Sequence, residues 1–162
     1  MVDWLYIDFN SFFASCEQQE NPKLRGKPVA VVPMMTDSTS CLAASYEAKA
    51  FGVKTGVKVG DAKKMCPGLM LVTTHHSTYV KYHHQAIEVI ESCLPVHSVC
   101  SIDEICCELT GSHRQLEVAK QLVVKIKKTL AEKMGECLTV SVGLGPNILL
   151  SKMAADMKKP NG

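Results

Sequence analysis

The hexapeptide Trp4–Phe9 (Trp-Leu-Tyr-Ile-Asp-Phe) constrains the fold most. A strand with one wet face alternates apolar and polar residues. This run is apolar on both parities, the pattern of a strand covered on both faces. The chain is therefore expected to build a sheet around its own beginning. Asp8, near the end of that strand, is the exception. A charge so placed is costly unless it is paired, hydrogen-bonded or bound to a cation.

A second acidic feature is Ser101-Ile102-Asp103-Glu104, inside the strand-like run 97–109. Val99, Ile105, Cys107 and Leu109 share one parity, and Asp103 falls on it. On a regular strand Asp103 and Glu104 point to opposite faces, so a site that uses both needs a tight turn or a bulge. Alone, the stretch reads as a hairpin tip with two solvated acids. Beside Asp8 it reads differently. Three carboxylates at one end of a sheet repel one another and call for a cation. Oxygen-only ligation suits Mg²⁺ or Mn²⁺ rather than zinc. Two such ions are the apparatus of in-line phosphoryl and nucleotidyl transfer.

The rest of the pattern predicts an α+β chain. Asn10 is a plausible cap for a short helix over 11–18, with Phe12 and Phe13 in its first turn. Strands are expected at 29–33, 41–44 and 69–73, and helices at 45–51 and 60–66. A longer helix is expected from Ser77 to about Leu94, with the stripe Val80, His83, Ile87, Ile90, Leu94. Ser112 to Gln115 has a capping-box pattern ahead of a helix striped by Leu116, Ala119, Val123, Ile126, Leu130 and Met134. A strand over 138–142, a turn at Gly143, Gly145 and Pro146, and a helix over 147–159 follow. The segment 11–77 has many turns and short elements, and reads as a small subdomain inserted after the first strand. The final Pro160-Asn161-Gly162 reads as the start of a linker in a longer protein.

Composition narrows the class. Apolar residues make up 46% and charged residues 21%, which excludes a disordered chain. A net charge of +2 does not by itself announce nucleic-acid binding, so that function must rest on a site. Eight cysteines without a CxxC pair, in a chain with no expected signal peptide, fit free and mostly buried thiols in a reducing, cytoplasmic setting. No apolar run is long enough to predict a membrane span. His75, His76, His83 and His84 lack a cysteine pair with zinc spacing, and partial burial is expected of His83. Cys100, Cys106, Cys107, Met65, Met153 and Met157 are expected to fill core.

Five motifs in order resemble one family. They are Ile7 to Glu17 (Ile-Asp-Phe-Asn-Ser-Phe-Phe-Ala-Ser-Cys-Glu); Asn21-Pro22 with Leu24 to Val31; Ser45 to Lys54; Ser101 to Glu104; and Val140-Ser141-Val142-Gly143 with Lys152 to Gly162. Together they resemble the N-terminal part of the Y-family, translesion DNA polymerases of the DinB branch, over the whole chain. The resemblance implies a ferredoxin-like palm, a sheet with helices on one face, over 1–10 and 78–162, and fingers over 11–77. Thumb and little-finger domains, and a tail that binds the sliding clamp, would follow Gly162.

It further implies that Asp8 and Asp103 hold two Mg²⁺ ions, for which Mn²⁺ can substitute. Glu104 and the carbonyl of Phe9 would complete the set. Phe13 would be the steric gate that excludes a 2′-hydroxyl, with Phe12 lining the same pocket. Tyr46, Lys49 and Lys159 would grip the triphosphate of a dNTP, and Lys152 would contact the primer–template DNA. Lys49 stands where the family usually has arginine and loses the bidentate fork. Ala43 lacks a common hydroxyl, and Asn10 replaces a frequent aspartate and could serve mainly as a cap. Two other classes remain compatible: a non-catalytic scaffolding relative that binds DNA or proteins, and a cyclase-like enzyme acting on nucleotides without a template.

Overall fold

The computed structural model describes residues 1–162. In chain order the elements are β1 (Trp4–Phe9), α1 (Phe12–Glu20), β2 (Val29–Val32), β3 (Ala43–Ala44), α2 (Tyr46–Lys49), α3 (Val59–Met65), β4 (Met70–Thr73), α4 (His76–Glu91), β5 (Ser98–Val99), β6 (Glu104–Glu108), α5 (Leu116–Met134), β7 (Val140–Gly145) and α6 (Ile148–Asp156). The chain forms two compact units: Met1–Asn10 with Val80–Gly162, and Ser11–Tyr79.

The first unit is built on an antiparallel sheet in the order β5-β6-β1-β7. The doubly apolar β1 lies inside it, paired on both edges, and Leu5 and Ile7 are fully buried. Asp8 sits opposite Glu104 on one side and Ser141 on the other. Helix α5 packs against β7 and buries Ala119, Leu122, Ile126, Leu130 and Met134. Leu116 is exposed instead of buried, because the helix begins there. Leu122 takes the inward place expected of Val123; both neighbour Ala119 and Ile126 on the helix, and leucine removes more apolar area from water.

Helix α4 also rotates from its expected stripe. Val80 is exposed, while Tyr79, Tyr82, Ala86, Val89 and Ile90 are buried. The tyrosine rings carry the apolar area that the sequence pattern assigned to the aliphatic residues. Ser112 caps no α-helix: residues Gly111–Arg114 form a 3-10 turn, and α5 starts later without a side-chain cap.

Strand β7 runs through both glycines expected in a turn. Gly143 pairs with Tyr6 and Gly145 with Trp4. Across these residues lies α6, whose backbone approaches so closely that only glycine fits at 143 and any Cβ at 145 would be crowded. Asn147 caps α6 by accepting from the Leu150 amide at 2.9 Å. The helix ends at Asp156, three residues before the expected Lys159. Trp4, Tyr6, Cys106, Ile148 and Ala155 pack together on this face of the sheet.

The second unit holds a three-stranded sheet in the order β3-β2-β4, with β2 and β4 parallel. All four residues of β2 are fully buried, as its β-branched composition requires. Helix α1 packs against β2 and β3, and Ala30, Val32, Ala48, Val53, Val59 and Ala62 form a core between β2 and the helices α2 and α3.

All eight cysteines are free, and five are buried. Cys100 is exposed, unlike Cys106 and Cys107, because it lies in the bend after β5 rather than in the sheet. Met65, Met153 and Met157 are exposed rather than core, on the outer faces or ends of short helices that bury only alanine, valine and serine. No helix is long and apolar enough to cross a membrane.

Candidate active site

The acids of the first unit gather where β1 meets the β5–β6 hairpin. The amide of Phe9 donates to the Asp103 carbonyl at 3.0 Å, which extends the β1–β6 ladder into the bend. The amides of Cys100 and Ser101 both donate to the Glu104 carbonyl, at 2.8 and 3.2 Å. This tight turn solves the parity problem posed by adjacent acids. Asp103 lies in the bend and Glu104 is the first residue of β6, so their side chains need not diverge. The Ser101 hydroxyl reaches both: 2.8 Å to Asp103 Oδ1 and 3.2 Å to Glu104 Oε2. A single hydroxyl proton serves one carboxylate at a time, so the acids stay electrostatically under-satisfied.

Two lysines bring the positive charge. Lys152, on α6, donates to Glu104 Oε1 at 2.8 Å and lies 5.6 Å from the centre of the Tyr6 ring. Lys159 bonds Asp8 Oδ2 and reaches Asp156 Oδ1 at 3.0 Å. Burial pushes the Asp8 carboxyl above its ordinary range, and the charges of Asp103 and Glu104 push the same way. Lys159 offsets only part of this. The Lys159 ammonium is itself raised: burial opposes its charge, but hydrogen bonds to Asp8 and Asp156 outweigh that. Lys152 is raised chiefly by its hydrogen bond to Glu104. Burial, with Cys100 and Glu104 nearby, raises the Tyr6 phenol. Two ammonium groups thus pair with Asp8, Asp156 and Glu104, and the four acids, Asp103 included, outnumber them.

As the side chains stand, no three His, Cys, Asp or Glu groups converge tightly enough to hold a metal ion. The donor set nonetheless fits a hard divalent cation. It is all oxygen: Asp103 is held by the Ser101 hydroxyl alone, and Glu104 by that hydroxyl, the Tyr6 phenol and the half-exposed Lys152 ammonium.

Asn10 is not a helix cap. Its buried side chain donates to Thr139 Oγ1 at 2.9 Å and accepts from Ser141 Oγ at 2.8 Å, pinning the end of β1 to β7. Ser11 occupies the cap position of α1 with φ 46°, and its hydroxyl is buried without a partner.

In the second unit Phe12 is buried, and Phe13 stacks on Tyr79 with ring centres 4.3 Å apart and planes 13° apart. Ser45 caps α2 by accepting from the Ala48 amide. Tyr46 is half-buried at the start of that helix, with the exposed Lys49 ammonium 4.4 Å from its ring centre. Sequence alone assigns no role to Glu17, the last residue of the first motif, and does not single out Tyr79. The signal available was an acid four residues after Phe13, on the face of α1 that carries Cys16 inward.

A family model described as impB/mucB/samB matches residues 7–156. The DNA polymerase IV of Pelotomaculum thermopropionicum is 39% identical over 160 residues, taking in 98% of this chain and 39% of that protein. The DNA polymerase IV of Moorella thermoacetica is 41% identical over 166 residues, with 98% and 40% covered. The chain thus spans about two fifths of the length of these curated relatives. A solved insertion ternary complex of Dbh DNA polymerase is 32% identical with a TM-score of 0.89, covering 99% of this chain and 47% of that one. DinB from Sulfolobus solfataricus gives 31% identity and a TM-score of 0.84, with 99% and 47% covered.

Proposed function

The chain belongs to the impB/mucB/samB family, and on that premise we propose that it is the palm and fingers of a Y-family DNA polymerase that extends a primer on a template with dNTPs during translesion synthesis. The observation that carries this reading is the bend that sets Asp103 and Glu104 on one serine hydroxyl, with Asp8 opposite Glu104 in the sheet. The relatives named DNA polymerase IV, and the solved neighbour described as an insertion ternary complex, support it.

Asp8, Asp103, Glu104 and the Phe9 carbonyl would hold two Mg²⁺ ions. When bound, these supply charge stabilisation for the attacking 3′-hydroxyl and the departing pyrophosphate. The chain's own residues do the rest. Lys152 neutralises Glu104 and Lys159 neutralises Asp8. With cations bound to the acids, the ammonium groups would be available to phosphate: Lys159 to the triphosphate, Lys152 to the DNA backbone. Tyr46 and Lys49 add to the triphosphate grip, with Lys49 as a point charge. A clamp partner would be engaged by chain beyond Gly162.

Primer extension by the full polypeptide with Mg²⁺ tests the reading. Template-complementary addition supports it. Addition that ignores the template, or a cyclic nucleotide product, favours a cyclase-like enzyme; DNA binding without extension favours a scaffold. Phe13 is tested separately: Phe13→Ala should raise ribonucleotide incorporation relative to dNTP about tenfold or more, since a bulky ring is the cheapest way to reject one extra hydroxyl. An unchanged ratio removes the gate.

A further inference from the structure

Glu17 is an acid on α1 that is only 5% exposed, with no lysine or arginine paired to it. Such a carboxylate persists only where specific donors satisfy it. Here two donors converge on one oxygen. The Tyr79 hydroxyl donates to Glu17 Oε1 at 2.7 Å, and His75 Nδ1 lies 2.7 Å from the same atom. With a carboxylate as its partner, that imidazole nitrogen carries the hydrogen.

Tyr79 has no exposed surface, and its ring is the one stacked on Phe13. Phe13 and Glu17 are four residues apart on α1, so their side chains leave the same face of the helix. The four parts close a circuit: the Phe13 ring, the Tyr79 ring, the Tyr79 hydroxyl, and Glu17 returning to the helix that carries Phe13. A parallel stack alone lets one ring slide over the other at little cost. Fixing the far end of the tyrosine to the same helix removes that freedom. His75 holds the carboxylate from its solvent side, where 55% of the imidazole side chain is exposed. Burial raises the Tyr79 phenol, which keeps its hydroxyl a donor.

We propose that Glu17 is a positioning residue for sugar selection: through Tyr79 it fixes the plane and height of the Phe13 ring. The proposal rests on the reading of Phe13 as the gate. Discrimination against one hydroxyl depends on contact at van der Waals range, so a shift of well under 1 Å in the ring suffices to admit it.

The test is the ratio of kcat/KM for ribonucleotide over deoxyribonucleotide, measured by single-nucleotide primer extension with the full polypeptide. Glu17→Ala and Tyr79→Phe should each raise that ratio by about three- to tenfold, and the double variant should rise no further than the larger single. Glu17→Gln, which keeps an acceptor for the tyrosine, should stay within about twofold of wild type. Tyr79→Phe keeps the stacked ring and so serves where Glu17→Ala fails to fold. If Phe13→Ala changes the ratio while Glu17→Ala and Tyr79→Phe do not, the positioning role is overturned and the gate stands. Equal loss of both rates with a flat ratio marks a purely structural network and also overturns it. A flat ratio for Phe13→Ala overturns the gate, and this proposal with it.

Discussion

Asp103→Ala is expected to lower primer extension by about a thousandfold while leaving the melting temperature within about 2 °C of wild type. Both halves follow from where the side chain sits. Asp103 is half-buried in a bend, and its carboxylate takes one hydrogen bond, from Ser101. Losing that bond costs about 1 kcal/mol. The loss is partly returned, because the negative charge of Asp103 helps to hold the Asp8 carboxyl in its raised, uncomfortable state. Fold and function are less separable at Asp8. That residue is buried in a central strand, and its removal leaves the Lys159 ammonium without its inner partner. Asp103 is therefore the cleaner probe of chemistry. A variant that extends primers as well as wild type would remove Asp103 from the catalytic set, and with it the main argument for a cation site at this bend. A variant that fails to melt cooperatively would show that the bend, rather than the chemistry, needs the acid.

How much of this was legible in the chain depended on the range of the force involved. The strand Trp4–Phe9 appeared as expected, because burial on both faces is written directly into its residues. The bend at Asp103 followed from a parity conflict, a local argument. Expectations went astray where a distant element decided. Nothing near Asn10 in sequence says that Thr139 and Ser141 will take its amide. The methionines are apolar, but the short helices that carry them have too little inward surface to bury them. In α4 the pattern favoured aliphatic residues and missed two tyrosines, since a ring with a satisfied hydroxyl behaves as core. Glu17 escaped for the same reason: its partners, Tyr79 and His75, stand about sixty positions away. Likewise, the lysines that cover the acids, Lys152 and Lys159, come from the far end of the chain, and no local pattern pairs them with Asp8 or Glu104.

The two glycines of β7 show the same lesson and yield the largest expected effect on stability. Read locally, Gly143 and Gly145 mark a turn. In the fold they mark a crossing. A Cβ placed on Gly143 would stand 1.8 Å from the Ser151 carbonyl oxygen and 2.4 Å from the Ala155 amide nitrogen. Both are backbone atoms of α6, so no side-chain rotation relieves the clash; the helix itself must move. At Gly145 the contacts are longer, 2.9 Å to the Ser151 hydroxyl and 3.0 Å to the Ser151 amide nitrogen, so a much smaller shift of α6 suffices. Overpacking that displaces backbone costs about 3 kcal/mol or more, so Gly143→Ala should lower the melting temperature by roughly 6–12 °C. Gly145→Ala should lose clearly less. Trp4, the single tryptophan, pairs with Gly145, and its fluorescence reports the melting of this unit directly. Movement of α6 also displaces Lys152, which is proposed to reach the DNA backbone, so the variant should lose primer extension even below its melting point. A Gly143→Ala protein that melts within about 2 °C of wild type would mean that α6 does not press on β7 as described. The placement of Lys152 over the acids would fall with it.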